Sequence, residues 1–184
     1  MNYPFLLKFS NISNLSDARY AAGMWADFIG FCFDPSSPSY LEPPKAQSII
    51  SWVSGPAIVG EFGEQPIEWI TDFSRQLSIQ IVQIPATYKD LSIFETGLKT
   101  IVMVNDTTHY PSIDKADVLI TESMEVYQYL SERTEKPVIF QTRTLSEDAS
   151  DLRGLAITGQ AEDQPGTRNQ GDWTEYLEKF ELAD

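Results

Sequence analysis

Eight short, apolar, β-rich runs recur at fairly even intervals along the chain, and this repetition constrains the fold more than any other feature. They are FLLKF (5–9), FIGFCF (28–33), AIVGEF (57–62), IQIVQI (79–84), TIVMV (100–104), DVLIT (117–121), PVIFQT (137–142) and LAIT (155–158). Most are nearly continuous in apolar character, which suits strands of a parallel sheet covered on both faces. Helical spacing fills the intervals. Ser16 or Asn14 can cap a first helix carrying Ala18, Ala21, Ala22 and Trp25. Pro43 and Pro44 open a second with Ala46, Ile49, Ile50 and Val53, and a third presents Ile67, Ile70, Phe73 and Leu77. Further along lie Val126, Tyr127 and Leu130, then Trp173, Tyr176, Leu177 and Phe180.

Strands that alternate with helices predict a parallel α/β fold, and eight units favour a closed (β/α)8 TIM barrel over an open sheet. Two connections are too thin for a full helix: NDTTHYPSIDKA between the fifth and sixth runs, and SEDASDLR before the eighth. The 184 residues also fall below the ~200 or more of most such barrels. The expectation is a trimmed barrel with one or two shortened helices, in a single domain over 1–184.

Charge narrows the partners. Thirteen basic residues stand against 27 acidic ones, a net charge of −14. No basic stripe is available to displace counterions, so neither nucleic acid nor an anionic membrane is an expected partner. A phosphate or carboxylate ligand would need a few local cations and helix N-termini. Cys32 is the only cysteine, so no internal disulfide can form. The start MNYPFLLKFSN lacks a basic n-region before a long apolar run, and no apolar stretch is long enough to span a membrane. A cytoplasmic protein is expected.

The segment from Lys8 to Tyr40, KFSNISNLSDARYAAGMWADFIGFCFDPSSPSY, resembles the opening of the phosphoribosylanthranilate isomerase family. Asn14-Leu15-Ser16-Asp17-Ala18, Ala26-Asp27 and Gly30-Phe31-Cys32-Phe33 carry the likeness. VGEF (59–62), IVQI (81–84), ADVLITES (116–123), KPVIF (136–140) and GLAITGQAEDQPGTR (154–168) extend it over nearly the whole chain. The resemblance implies an Amadori rearrangement in tryptophan synthesis. That chemistry needs a general base, a general acid, a carboxylate clamp and a phosphate cradle.

Almost every one of these positions is altered. Ser10 stands where the family's base, a cysteine, ends the first strand, and Glu122 stands where its acid, an aspartate, ends the sixth. A thiol titrates near ~8.5, whereas a hydroxyl titrates far higher and needs a base of its own. Glu122 retains a carboxyl on a longer stem, enough to misplace proton transfer by about an ångström. Ser39 replaces the arginine that pairs with the substrate carboxylate, and Pro85-Ala86 replaces a histidine-glycine. The glycine-rich phosphate loop after the sixth strand is missing, because Ser123 leads straight into a helix. Thr142-Arg143 and Thr158-Gly159-Gln160 occupy the remaining phosphate positions, where glycines would let backbone N–H groups approach closely.

The candidate catalytic residues are therefore Ser10 and Glu122. The candidate ligand contacts are Lys8, Glu61, Gln83, Asn105, Arg143, Thr158 and Gly159. Lys8 either attracts an anion or forms an internal ion pair with Glu61 or Glu122; a buried lysine needs such a partner. Arg143 either holds a phosphate or carboxylate or pairs with Glu122 or Glu147. Cys32 reads as an inert core thiol, and His109 as exposed loop with no Cys or His partners for a metal. No metal or cofactor is expected.

Three functional readings stay open. One is a relative of the isomerases without their activity, kept as a small-molecule-binding protein. The second is a working isomerase using Ser10 and Glu122. The third is a new activity at the same barrel mouth. A small anionic ligand and a monomer or homodimer complete the expectation.

Overall fold

The computed structural model describes residues 3–143, 152–158 and 171–178. Its strands form one closed parallel barrel in the order β1 to β8, each hydrogen-bonded to its neighbours in sequence, with β8 closing onto β1. They are β1 Leu6–Ser10, β2 Phe28–Cys32, β3 Ala57–Glu61, β4 Ile81–Pro85, β5 Lys99–Met103, β6 Val118–Thr121, β7 Val138–Thr142 and β8 Gly154–Thr158. Every apolar run of the sequence thus becomes a strand, and the expected TIM barrel is the fold.

Side chains alternate across each strand, so one set fills the lumen and the other meets the helices. Val59, Ile81, Ile101, Ile120, Ile139 and Ala156 form the lumen cluster. Leu7, Phe9, Ile29, Phe31, Val82, Ile84 and Leu119 belong to the outer core shared with the helices. This two-sided burial explains why the runs are continuous in apolar character instead of alternating.

The outer layer holds α1 Leu15–Gly23, α2 Pro43–Ile50, α3 Ile67–Gln76, α4 Pro111–Lys115, α5 Met124–Ser131 and α6 Gly171–Glu178. Asn14, and not Ser16, caps α1: its Oδ1 accepts the Asp17 N–H at 2.8 Å. Pro43 and Pro44 open α2, where their missing N–H groups go unneeded. α3 turns Ile70 and Phe73 inward, and Phe73 packs 4.5 Å from the Phe33 ring and 4.7 Å from Trp69. Full burial of one such side chain contributes about 1.5–3 kcal/mol.

The connection between β5 and β6 is thin as expected, holding only α4. The one before β8 lies outside the described residues. A further thin connection occurs between β4 and β5, where a 3-10 helix, Leu91–Glu95, takes the place of a full helix. Asp90 caps it by accepting the Ser92 N–H, and Gly97 at φ +82° ends it. No described helix is long and apolar enough to cross a membrane.

Candidate functional site

Inward-facing positions at the carboxyl ends of the strands build the mouth of the barrel, the face where such folds place their sites. The register sets Ser10 beside Thr158, Cys32 beside Glu61, and Glu61 beside Gln83. The lumen just below this level is apolar on most sides, but Lys8 from β1 enters it and is fully buried.

Lys8 is held by Glu61. Its Nζ donates to Glu61 Oε1 and to Ser10 Oγ. The second carboxylate oxygen of Glu61 accepts the Asn11 N–H at 3.1 Å. That N–H is presented by a backbone at φ 55°, a left-handed conformation that asparagine tolerates better than most residues. Gly30 of β2 provides the space. A Cβ there would lie 2.1 Å from Glu61 Oε1 and 3.0 Å from Lys8 Nζ, so any larger residue would collide with the pair.

From Ser10 a polar chain continues across the mouth. Ser10 Oγ donates to Gln141 Oε1 at 2.9 Å, and Gln141 Nε2 donates to Glu122 Oε1 at 2.8 Å. The two contacts together fix which end of the Gln141 amide faces which partner. Ser10 is 1% exposed, and Glu122 lies open to solvent. The expected pair Ser10 and Glu122 is thus brought to one place but is separated by a neutral amide whose N–H is too weakly acidic to relay a proton.

The other candidates divide. Lys8 forms the internal ion pair, with Glu61 as its partner, and does not reach the open mouth. Gln83 is buried, and among the described residues neither its Oε1 nor the Thr158 hydroxyl finds a hydrogen-bond partner. Asn105 and Arg143 are exposed beyond the ends of β5 and β7, and Arg143 forms no ion pair among the described residues. Gly159 and Glu147 lie outside the described residues. Burial pushes the Cys32 thiol up despite hydrogen bonds with Ser37 and Asp34, so it stays protonated and inert. His109 is exposed beside Asp114 at 3.3 Å. No group of three metal-binding side chains occurs among the described residues.

The sequence reading assigned no part in the site to Gln141, Gly30 or Asp34. Gln141 could have been found as a polar residue at an inward position of an otherwise apolar strand. Gly30 has the same kind of signal, since a glycine inside a strand marks a close approach. The mouth also opens between β2 and β4 into a groove of about 710 Å³ lined by Asp34, Phe62, Glu64, Gln65, Gln83 and Met103. A smaller space of about 180 Å³ shares Asp34, Phe62, Gln83 and Met103 with it and reaches Asn11, Glu61 and Gln141.

After β6 a single residue, Glu122, precedes the N-cap Ser123, whose Oγ accepts the Val126 N–H at 3.3 Å. No loop intervenes where a glycine-rich phosphate cradle would sit.

Fold and site together define a (β/α)8 barrel with a polar constellation at its carboxyl-terminal mouth. Over 104 residues the chain is 34% identical to the N-(5'-phosphoribosyl)anthranilate isomerase of Sulfurovum sp. (strain NBC37-1), covering 55% of this chain and 53% of that protein. The corresponding protein of Syntrophus aciditrophicus (strain SB) is 35% identical over 79 residues, 42% of this chain and 34% of its own length. The matches thus span about half or less of these curated relatives. No protein-family model matches the chain.

Solved structures extend the likeness in fold to nearly the whole chain. Phosphoribosyl anthranilate isomerase from Thermus thermophilus superposes with a TM-score of 0.74 at 19% identity, covering 94% of each chain. The isomerase in complex with reduced 1-(o-carboxyphenylamino)-1-deoxyribulose 5-phosphate gives 0.75 at 18% identity, covering 95% of this chain and 97% of that one. The chain is thus similar in sequence to phosphoribosylanthranilate isomerases over about half its length, and shares their barrel fold over nearly all of it.

Proposed function

We propose that this barrel has lost the family's isomerase activity and serves as a small-molecule-binding protein at the same mouth. The observation that carries this reading is the state of Ser10. Its hydroxyl occupies the position of the family's base, is buried, accepts from Lys8 and donates its own proton to Gln141. A general base must have a lone pair free for the substrate proton and a proton affinity near the working pH. Lys8 takes one of this hydroxyl's two lone pairs, and its proton affinity lies far from the working pH. Lys8 cannot activate it, because its ammonium is a donor engaged by Glu61. The nearest carboxylate on the other side, Glu122, contacts Gln141 and not Ser10. The direct passage from β6 into α5 agrees with the same reading.

Complementation of a tryptophan auxotroph lacking the isomerase, together with assay of the purified protein, tests it. No growth and no turnover are expected. Growth that is abolished by Glu122→Gln would establish the working isomerase instead. A cytoplasmic location and a monomeric or homodimeric state accompany this proposal. Arg143 remains the candidate for an anion contact, and a melting temperature raised by inorganic phosphate in the parent but not in Arg143→Ala would support it.

A further inference from the structure

The groove between β2 and β4 has a chemistry unlike the rest of the mouth. Among the described residues its charged lining groups are Asp34 and Glu64, and no lysine, arginine or histidine lines it or the adjoining smaller space. Glu61, in the smaller space, is matched by Lys8, whereas neither Asp34 nor Glu64 pairs with a cation among the described residues. Asp34 is fixed in place. Its Oδ1 accepts the Ser36 N–H at 2.9 Å, the Ser36 hydroxyl at 2.8 Å and Gln65 Nε2 at 3.0 Å. Burial pushes this carboxyl up, but the donors more than offset it and hold it below the usual carboxylate range. Glu64 is anchored in turn by the Thr87 hydroxyl at 2.8 Å.

Gln83 is the second, independent observation. It is only 8% exposed, faces both spaces, and its Oε1 has no donor among the described residues. A buried carbonyl oxygen without a partner is costly to the folded protein, so an occupant that supplies an N–H is favoured there. Ser36 and Gln65, both bonded to Asp34, add polar groups, and Phe62, Ile84, Pro85 and Met103 supply an apolar wall. Fixed carboxylates beside an apolar wall repel a phosphate or carboxylate ligand and attract a cation.

We propose that this groove binds a small organic cation: a protonated amine with an apolar body, its N–H donors meeting Asp34 and the Gln83 carbonyl. The inference rests on the reading that the parent substrate is no longer bound, and it names the ligand class that replaces it.

The test uses the full chain and three probes of similar shape: phenethylamine, its neutral counterpart 2-phenylethanol, and the anionic 3-phenylpropanoate. Ligand-observed NMR and thermal shift should detect the amine and neither of the others. Asp34→Asn should weaken amine binding about ten- to a hundredfold, the range for a hydrogen bond to a charged group. Gln83→Leu should raise the melting temperature of the free protein while weakening the amine, a combination that a purely structural role would not produce. Failure of the amine to bind, binding of the anion as strong as that of the amine, or unchanged amine affinity in both Asp34→Asn and Glu64→Gln would overturn the proposal. Isomerase assay of the same preparation stands apart. No turnover together with no amine binding refutes the ligand class alone.

Discussion

Glu61→Gln should be the most damaging single substitution at the mouth. Lys8 is wholly buried, and Glu61 is 6% exposed. The substitution keeps the shape, leaves an amide on Lys8 and Asn11, and removes the charge that, among the described residues, balances the buried ammonium. Breaking a buried pair by removing one partner costs about 3–5 kcal/mol, because an uncompensated charge stays in a low-dielectric interior. For a chain of this size each kcal/mol moves the melting temperature by about 2–4 °C, so a fall of roughly 6–20 °C is expected. The double variant Lys8→Met with Glu61→Leu removes both charges and should lie between neutral and about 4 kcal/mol more stable than Glu61→Gln's parent. Circular dichroism melts of the parent, Lys8→Met, Glu61→Leu and the double variant complete a double-mutant cycle, with Glu61→Gln melted alongside. A Glu61→Gln protein within about 1 kcal/mol of the parent, well below the expected penalty, would refute the claim that this pair is buried and mutually dependent.

Other outcomes follow from the same geometry. Gly30→Ala should destabilise the chain by about 1–3 kcal/mol, the usual cost of overpacking, since its Cβ meets the Glu61 carboxylate; thermal melts check it. Tyr88 is pushed up to about 12 by burial and by the neighbouring carboxylates of Asp90, Glu64 and Glu68. The folded state therefore holds this proton after the unfolded chain has lost it, and stability should fall as pH rises from about 10 towards about 12. Denaturant midpoints measured against pH should show that decline, and Tyr88→Phe should flatten it. Cys32, buried and shifted upward, should react with a thiol reagent only on unfolding, which a time course with and without denaturant reveals. Gln83→Leu should gain about 1–3 kcal/mol in the unliganded protein by removing an orphaned acceptor, measured by urea denaturation.

The strands were legible because a barrel strand is apolar on both faces, and eight such runs leave few alternatives. Helix starts were legible where a local cap decides them, at Asn14 and at Pro43-Pro44. The reduced connection between β4 and β5 was not, because Leu91, Ile93 and Phe94 offer apolar residues that fit a helix as well as a 3-10 turn. The ion pair of Lys8 was readable as a need, since a lysine on a barrel strand requires a partner. Its choice of Glu61 over Glu122 depends on register, which one sequence does not contain. Gln141 escaped notice for a related reason. Its role arises from three strands meeting at the mouth, not from any local pattern in VIFQT. The acidic groove is likewise assembled from the ends of β2, β3 and β4, and no contiguous motif records it.

Ser10 ties these observations together. On the proposed reading, the end of β1 holds Ser10 between Lys8 and Gln141 in a structural role. Steady-state assay of the purified chain with phosphoribosylanthranilate, followed by chromatography of the product, is the most direct test. No conversion above the buffer control is predicted, in the parent and in Glu122→Gln alike. Conversion by the parent that disappears in Glu122→Gln would contradict the account.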